Sequence, residues 1–348
     1  MSLLIRYSTS SNASPIQEQQ KAKLHKRIRS TDSLTKCAFY GQERPVFVNG
    51  KIIKSSGVSL PKLSNSYLLK RGGSPLKTEN GNVLDQSEED VLLFKQQYSC
   101  SKRFDIGTAQ TIGKRVYMED TLMVKGELYD DIDFIGVFDG HNGQGAAIKS
   151  MHTFYSLIDG YTVHSDHVKD HLSKVFEQMH TLVSMSTESG TTASILLIRE
   201  NDVIICRCGD SPIYVLTTDD EIMKVGKDHN LYDKDEVEMI KQNGGNIVNV
   251  SGVLRVNGKI TITRSIGDKQ FHPPLSCLPS IDIISLSTIK SILVASDGIS
   301  VVSEDFLREI LLEEFTSDIK AQCVRNNALE KDSKDNISVV VVQIRTII

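Results

Sequence analysis

From about residue 103 the chain becomes a succession of apolar runs of strand length, separated by Gly, Asp and Asn. Such runs predict strands that are buried for most of their length. They are DFIGVFD (133–139), TASILLI (192–198), DVIICRC (202–208), PIYVLT (212–217), KITIT (259–263), SILVAS (291–296) and NISVVVVQI (336–344). Three of them, from 192 to 217, follow one another across short turns, which predicts antiparallel pairing. Helical spacing predicts helices at about 143–158, 166–185, 232–242 and 303–314, with Asp233 and Ser303 as N-caps. Strands and helices come in blocks and not in strict alternation, so the expected fold class is α+β. No internal repeat is present.

Residues 1–102 have a different texture. They are Ser/Asn-rich at 8–14, basic at 21–29 (KAKLHKRIR), then short apolar pieces broken by Gly, Pro and Ser. This reads as an N-terminal extension, partly disordered, ahead of an ordered domain over 103–348. The first 31 residues hold six Lys/Arg and one acid, Glu18, which is the bias of a mitochondrial presequence and equally of a solvated basic tail. KAKLHKRIR also fits a nuclear-import patch. An intracellular protein is expected, cytoplasmic or nuclear, with the mitochondrial matrix as the alternative.

Composition narrows the class. With 39% hydrophobic and 24% charged residues the chain is that of a soluble globular protein, and no apolar run reaches the length of a membrane span. The six cysteines (37, 100, 206, 208, 277, 323) form no C-x-x-C pair and have no histidines at zinc-finger spacing, so they read as reduced thiols. Residues 1–100 carry 15 Lys/Arg against 8 Asp/Glu, which leaves 25 against 36 for the remainder. An acidic body of this kind argues against a nucleic-acid partner.

The informative feature is where the aspartates stand. FIGVFD, ICRCGD and ILVASD each run an apolar strand into an Asp, and Asp335 opens the last strand. If those strand ends coincide in space, Asp139, Asp210, Asp297 and Asp335 face one another, which is tolerable only with protons or cations between them. An oxygen-only donor set suits Mg²⁺ or Mn²⁺, not Zn²⁺. Gly140 and Gly298 follow two of these acids and let the backbone come close to a ligand. Arg115, in RVYMED, is a guanidinium able to grip a phosphate. Its companions Glu119 and Asp120 add two acids, and His141, inside DGHNG, is placed to donate a proton.

In order, these residues resemble the protein phosphatase 2C family of metal-dependent Ser/Thr phosphatases. The resemblance runs from about Phe104 to Ile344 through RVYMED (115–120), GVFDGHNG (136–143), SGTTA (189–193), CGDS (208–211), GG (244–245), VNGKITITRSIGD (256–268), ILVASDG (292–298) and DNISVVVV (335–342). It implies a four-layer α-β-β-α sandwich of two mainly antiparallel sheets flanked by helices, with a two-ion centre at one end. By position it implies metal binding through Asp139, Asp297 and Asp335 and through the Gly140 carbonyl. Glu119 and Asp120 would act near the metals, and Asp210 would serve an additional, weaker site. Arg115 would hold the substrate phosphate, and His141 would protonate the leaving alkoxide. The implied reaction is hydrolysis of phosphoserine or phosphothreonine by direct attack of a metal-bridging water. Phosphoproteins are the implied substrates and a monomer the expected state. The alternative is a catalytically silent relative that uses the fold to bind a partner.

The chain departs from the family pattern where Asp-Gly-x-Trp-Asp becomes Asp297-Gly298-Ile299-Ser300-Val301. Val301 removes an acid associated with the third ion and leaves the pair untouched. His164, His167 and His171 recur at helical spacing and read as exposed polar helix, and Cys206 and Cys208 as packing residues. Residues 226–254 fall where the family has a variable flap, expected to shape substrate choice.

Overall fold

The computed structural model describes residues 46–48, 51–53, 98–99 and 101–344, apart from 127, 129, 130 and 159. The basic, hydroxyl-rich stretch at 1–31 and the rest of 1–45 lie outside the described residues. Ten strands build two sheets: β1 (Asp105–Thr111), β2 (Thr121–Lys125), β3 (Asp133–Phe138), β4 (Ala193–Ile198), β5 (Asp202–Cys208), β6 (Ile213–Thr217), β7 (Ile222–Lys224), β8 (Ser280–Ser285), β9 (Ile289–Ala295) and β10 (Ile337–Gln343). The first sheet runs β8-β5-β4-β3-β2 with Tyr98–Ser99 added in parallel at the β2 edge, and the second runs β7-β6-β9-β10-β1. Every other pairing in the two sheets is antiparallel.

Period-two alternation divides each strand between two cores. Ile135, Val137, Leu196, Ile198, Val203 and Ile205 meet Ile213, Val215, Ile292, Val294, Val340 and Val342 between the sheets. Their neighbours Phe134, Phe138, Ile195, Leu197, Ile204, Cys206 and Cys208 face outward under helices α1 (Gly145–Leu157) and α2 (Val168–Ser184). The second sheet carries α4 (Glu304–Leu312) and α5 (Ser317–Glu330), the latter on β1 and β10. Four layers follow, α-β-β-α, as the strands' burial on both faces requires. A separate piece holds α3 (Lys234–Gln242) and a hairpin of Ile247–Val250 with Val253–Val256, and its small core contains Leu231, Ile240, Val256 and Leu275. The predicted caps are present: Asp233 accepts from the Asp235 N–H and Ser303 from the Phe306 N–H.

Two expectations need correction. The runs 192–198 and 202–208 do pair as a hairpin, but the third run does not continue it. Gly209, at φ +109°, and Pro212 turn the chain out of the first sheet, and β6 pairs with β9 in the second. KITIT (259–263) is not a strand. Its residues make isolated bridges to different partners, Val256 with Ile260 and Asn230 with Ile262, so no continuous ladder forms.

Candidate active site

The antiparallel order brings the right strand ends together. Thr121 pairs with Phe138, so Asp120 and Asp139 leave β2 and β3 at the same end. β5 is antiparallel to β4, as β3 is, and therefore delivers Asp210 to that end too. In the second sheet Asp297 follows β9 and Asp335 precedes its antiparallel neighbour β10. Arg115, Glu119, Asp139, Gly140, His141, Asp210, Asp297 and Asp335 line one cleft of about 520 Å³. Asp120 stands behind them, buried, its Oδ2 accepting from the Ser338 hydroxyl at 2.8 Å. Val301 is exposed.

Asp139 is anchored from three sides. Its N–H donates to Thr192 Oγ1 at 3.1 Å, and its carbonyl accepts from the Thr192 N–H at 2.9 Å and the Thr191 hydroxyl at 3.0 Å. Gly140 has no room for a side chain, since a Cβ there would press on the Glu119 carbonyl at 2.5 Å. The loop carrying Arg115 and Glu119 is pinned by Asn336, whose amide donates to the Ile112 and Tyr117 carbonyls and accepts from the Glu119 N–H. Glu119 Oε1 in turn accepts from the Gly143 N–H at 2.5 Å.

The electrostatics are those of crowded acids. Burial first, then the charges of Asp120, Asp297, Asp210 and Asp335, push the Asp139 carboxyl well above its ordinary range. Asp210 is raised to about 7 by burial and by Asp297, and Asp120 to about 7 by burial against the opposing hydrogen bonds of Ser296 and Ser338. Asp297 is raised by burial and by Asp335. Burial would lower the Arg115 guanidinium, but Asp335 outweighs it and the net shift is upward. Among the described residues no three acid, histidine or cysteine side chains close up around a single ligand position. Arg115 holds the Asp335 carboxylate to itself at 2.5 Å. The donor set is oxygen-only and includes the backbone carbonyl of Gly140, a position with no room for a side chain. It fits a hard divalent ion of the Mg²⁺ type, which keeps several waters and takes few protein ligands.

One residue was not singled out from the sequence. Asp268 lines the same cleft, and its Oδ2 lies 2.7 Å from His141 Nε2. SIGD repeats the Gly-Asp ending of CGDS, but on a strand of only two residues, Ile266–Gly267, too short to stand out as a run.

The family model described as protein phosphatase 2C matches residues 104–337, more than half of the chain. The chain belongs to the protein phosphatase 2C family. It is 27% identical over 252 residues to probable protein phosphatase 2C 11 of Arabidopsis thaliana, covering 69% of this chain and 67% of that one. It is 28% identical over 256 residues to probable protein phosphatase 2C 59 of Oryza sativa subsp. japonica, covering 71% and 77%. The fold matches the crystal structure of a serine-threonine phosphatase 2C from Toxoplasma gondii with a TM-score of 0.64, at 19% identity, over 71% of this chain and 96% of that chain. As a family member the protein is a serine/threonine protein phosphatase, and phosphoproteins are its class of substrate. Among the described residues no helix is long and apolar enough to cross a membrane.

Proposed function

We propose that the protein hydrolyses phosphoserine and phosphothreonine side chains in a reaction dependent on two Mg²⁺ or Mn²⁺ ions. The reading is carried by the meeting of Asp139, Asp210, Asp297 and Asp335, brought from both sheets into one cleft with a guanidinium at its edge. Asp139, Asp297 and Asp335 would hold the ions through carboxylates and Gly140 through its carbonyl. Glu119 and Asp120 would act from the second rank, and Asp210 would serve a weaker additional site, diminished by Val301. Bound ions of this type supply the Lewis acidity that activates a water and screens phosphoryl charge. Arg115 grips the phosphate and presents it to the carboxylate wall. His141 delivers a proton to the serine or threonine oxygen as it departs. In this reading 103–348 is the catalytic domain and 1–102 an extension to it.

The test is hydrolysis of a phosphothreonine peptide by purified protein with Mn²⁺, with Mg²⁺ and with EDTA, alongside Asp139→Asn and Asp297→Asn. Phosphate release that disappears in EDTA and in both variants supports the reading. No turnover with either metal, in protein shown to be folded, would sink it in favour of a partner-binding phosphatase-like protein.

A further inference from the structure

A small ribbon explains why His141 has a carboxylate partner. Gly140–His141 pairs with Gly190–Thr191, which pairs in turn with Ile266–Gly267, so His141, Gly190 and Gly267 lie side by side. Asp268 follows in the left-handed region, at φ 48° and ψ 40°, where residues with a side chain seldom sit. Its backbone is tied there, the N–H donating to Ser189 O at 3.1 Å and the carbonyl accepting from the Phe271 N–H at 2.7 Å. Gly190 leaves the necessary space, since a Cβ there would collide with both the Asp268 carboxylate and His141 Nε2. A carboxylate whose side chain is only 2% exposed is thus aimed at a histidine at the rim of the cleft.

Ser265 Oγ donates to Asp268 Oδ2 at 2.7 Å and has only one proton to give. His272 Nε2, 3.2 Å from the same hydroxyl, must therefore donate to it. Asp268 Oδ2 receives one hydrogen from Ser265 and the other from His141 Nε2.

We propose that Asp268 is a positioning residue for proton donation. It fixes the His141 ring with hydrogen on Nε2, so that Nδ1 carries the proton to be transferred. The proposal rests on the reading of His141 as the donor. As a water oxygen bonds to phosphorus and gives up a proton to solvent, the bond from phosphorus to the threonine oxygen breaks, and its electron pair stays on that oxygen and takes the Nδ1 proton. The ring is left neutral with its Nε2–H still on Asp268, and solvent returns the lost proton. Replacing the carboxylate by an amide keeps the shape but lets an NH₂ face Nε2, which favours the opposite tautomer.

The experiment compares a phosphothreonine peptide, whose leaving alkoxide needs a proton, with p-nitrophenyl phosphate, whose leaving group does not. Full-length wild type, Asp268→Asn, His141→Ala and the double variant are assayed with Mn²⁺. We expect Asp268→Asn to lose about tenfold or more kcat on the peptide beyond any loss on the nitrophenyl ester, within the range of a general acid's contribution. The double variant should be no worse than His141→Ala. Equal losses on the two substrates, or losses that multiply in the double variant, overturn the proposal. If His141→Ala also leaves the substrate ratio unmoved, the donor reading falls with it. If His141→Ala shifts the ratio and Asp268→Asn does not, only the proposal falls. A second measurement needs neither a variant nor a metal: ring ¹⁵N shifts of His141 in the metal-free wild type. Hydrogen on Nε2 supports the assignment, and hydrogen on Nδ1 alone in the neutral ring overturns it.

Discussion

Arg115 Nη2 donates to Asp335 Oδ2 at 2.5 Å, with Arg115 Nε on the Lys334 carbonyl at 3.2 Å. The group proposed to hold phosphate is therefore paired, in the free protein, with a carboxylate proposed to hold metal. On that reading, an ion held by Asp335 would compete with Arg115 for the carboxylate and leave the guanidinium free for substrate.

That exchange makes a two-part prediction. Arg115→Ala should lower kcat/KM on a phosphothreonine peptide by roughly ten- to a hundredfold, chiefly through KM, as expected for loss of a charge-assisted hydrogen bond of about 1.5–3 kcal/mol. The same variant should bind Mn²⁺ more tightly, because a competing cation has gone. Steady-state kinetics and calorimetric titration measure the two effects. An unchanged KM would remove Arg115 from the phosphate site.

The strand-end aspartates were legible because FIGVFD, ICRCGD and ILVASD are buried on both faces, so their runs are apolar at nearly every position and each stops abruptly at its acid. The helix α5 was not legible. It buries Ser317, Lys320, Arg325 and Asn327 beside Ala321 and Val324, and so shows no apolar stripe. Lys320 is satisfied there by the Leu311 carbonyl at 2.7 Å, a contact no spacing rule reveals. The crossing of β6 to the second sheet was hidden for another reason. A turn of given length looks the same whether it closes a hairpin or changes sheets, and only the partner strand β9, some eighty residues on, decides between them. Asp268 was missed because its partner, His141, is 127 residues away and the ribbon that joins them is only two residues long on each strand.

Because the cleft acids repel one another without a cation, a divalent ion should stabilise the fold. At a hundred times its Kd an ion adds about 2.7 kcal/mol, and about 2–4 °C per kcal/mol applies to a domain of this size. A rise in Tm of several degrees with Mn²⁺ is expected in thermal melts, reversed by EDTA. Asp139→Asn should abolish the rise. A wild-type melt indifferent to Mn²⁺ and Mg²⁺ would count against metal binding independently of any activity assay.

Packing of the helical layer on the first sheet depends on an aromatic trio. Phe154, wholly buried on α1, stacks on Phe134 of β3 at 5.7 Å and meets Phe176 of α2 edge-on at 5.4 Å. Phe154→Ala should cost about 3–5 kcal/mol, from lost burial plus the cavity left among groups held by three elements. Urea denaturation gives the figure. A loss under about 1 kcal/mol would mean that α1 and α2 collapse onto the gap.

Acid should weaken the fold at His272. Burial, with the His180 ring 4.2 Å away, pushes its pKa down to about 4, against the pull of Asp268. Since the folded value lies below the ordinary 6.5, the unfolded chain takes up the proton first. Stability is therefore complete above about pH 6.5 and lost as pH falls towards 4, by a few kcal/mol at most on the usual conversion. The raised cleft carboxylates act in the opposite sense, because folded metal-free protein binds their protons more readily than unfolded chain does. Melting wild type and His272→Gln from pH 4 to 8 separates the two contributions. The variant should lose less stability than wild type between pH 6.5 and 4 and match its pH dependence above 7. Parallel curves throughout would show that His272 is free to take its proton in the folded state. The hydrogen bond to Ser265 assigned above would still stand, since a protonated ring can donate it as well.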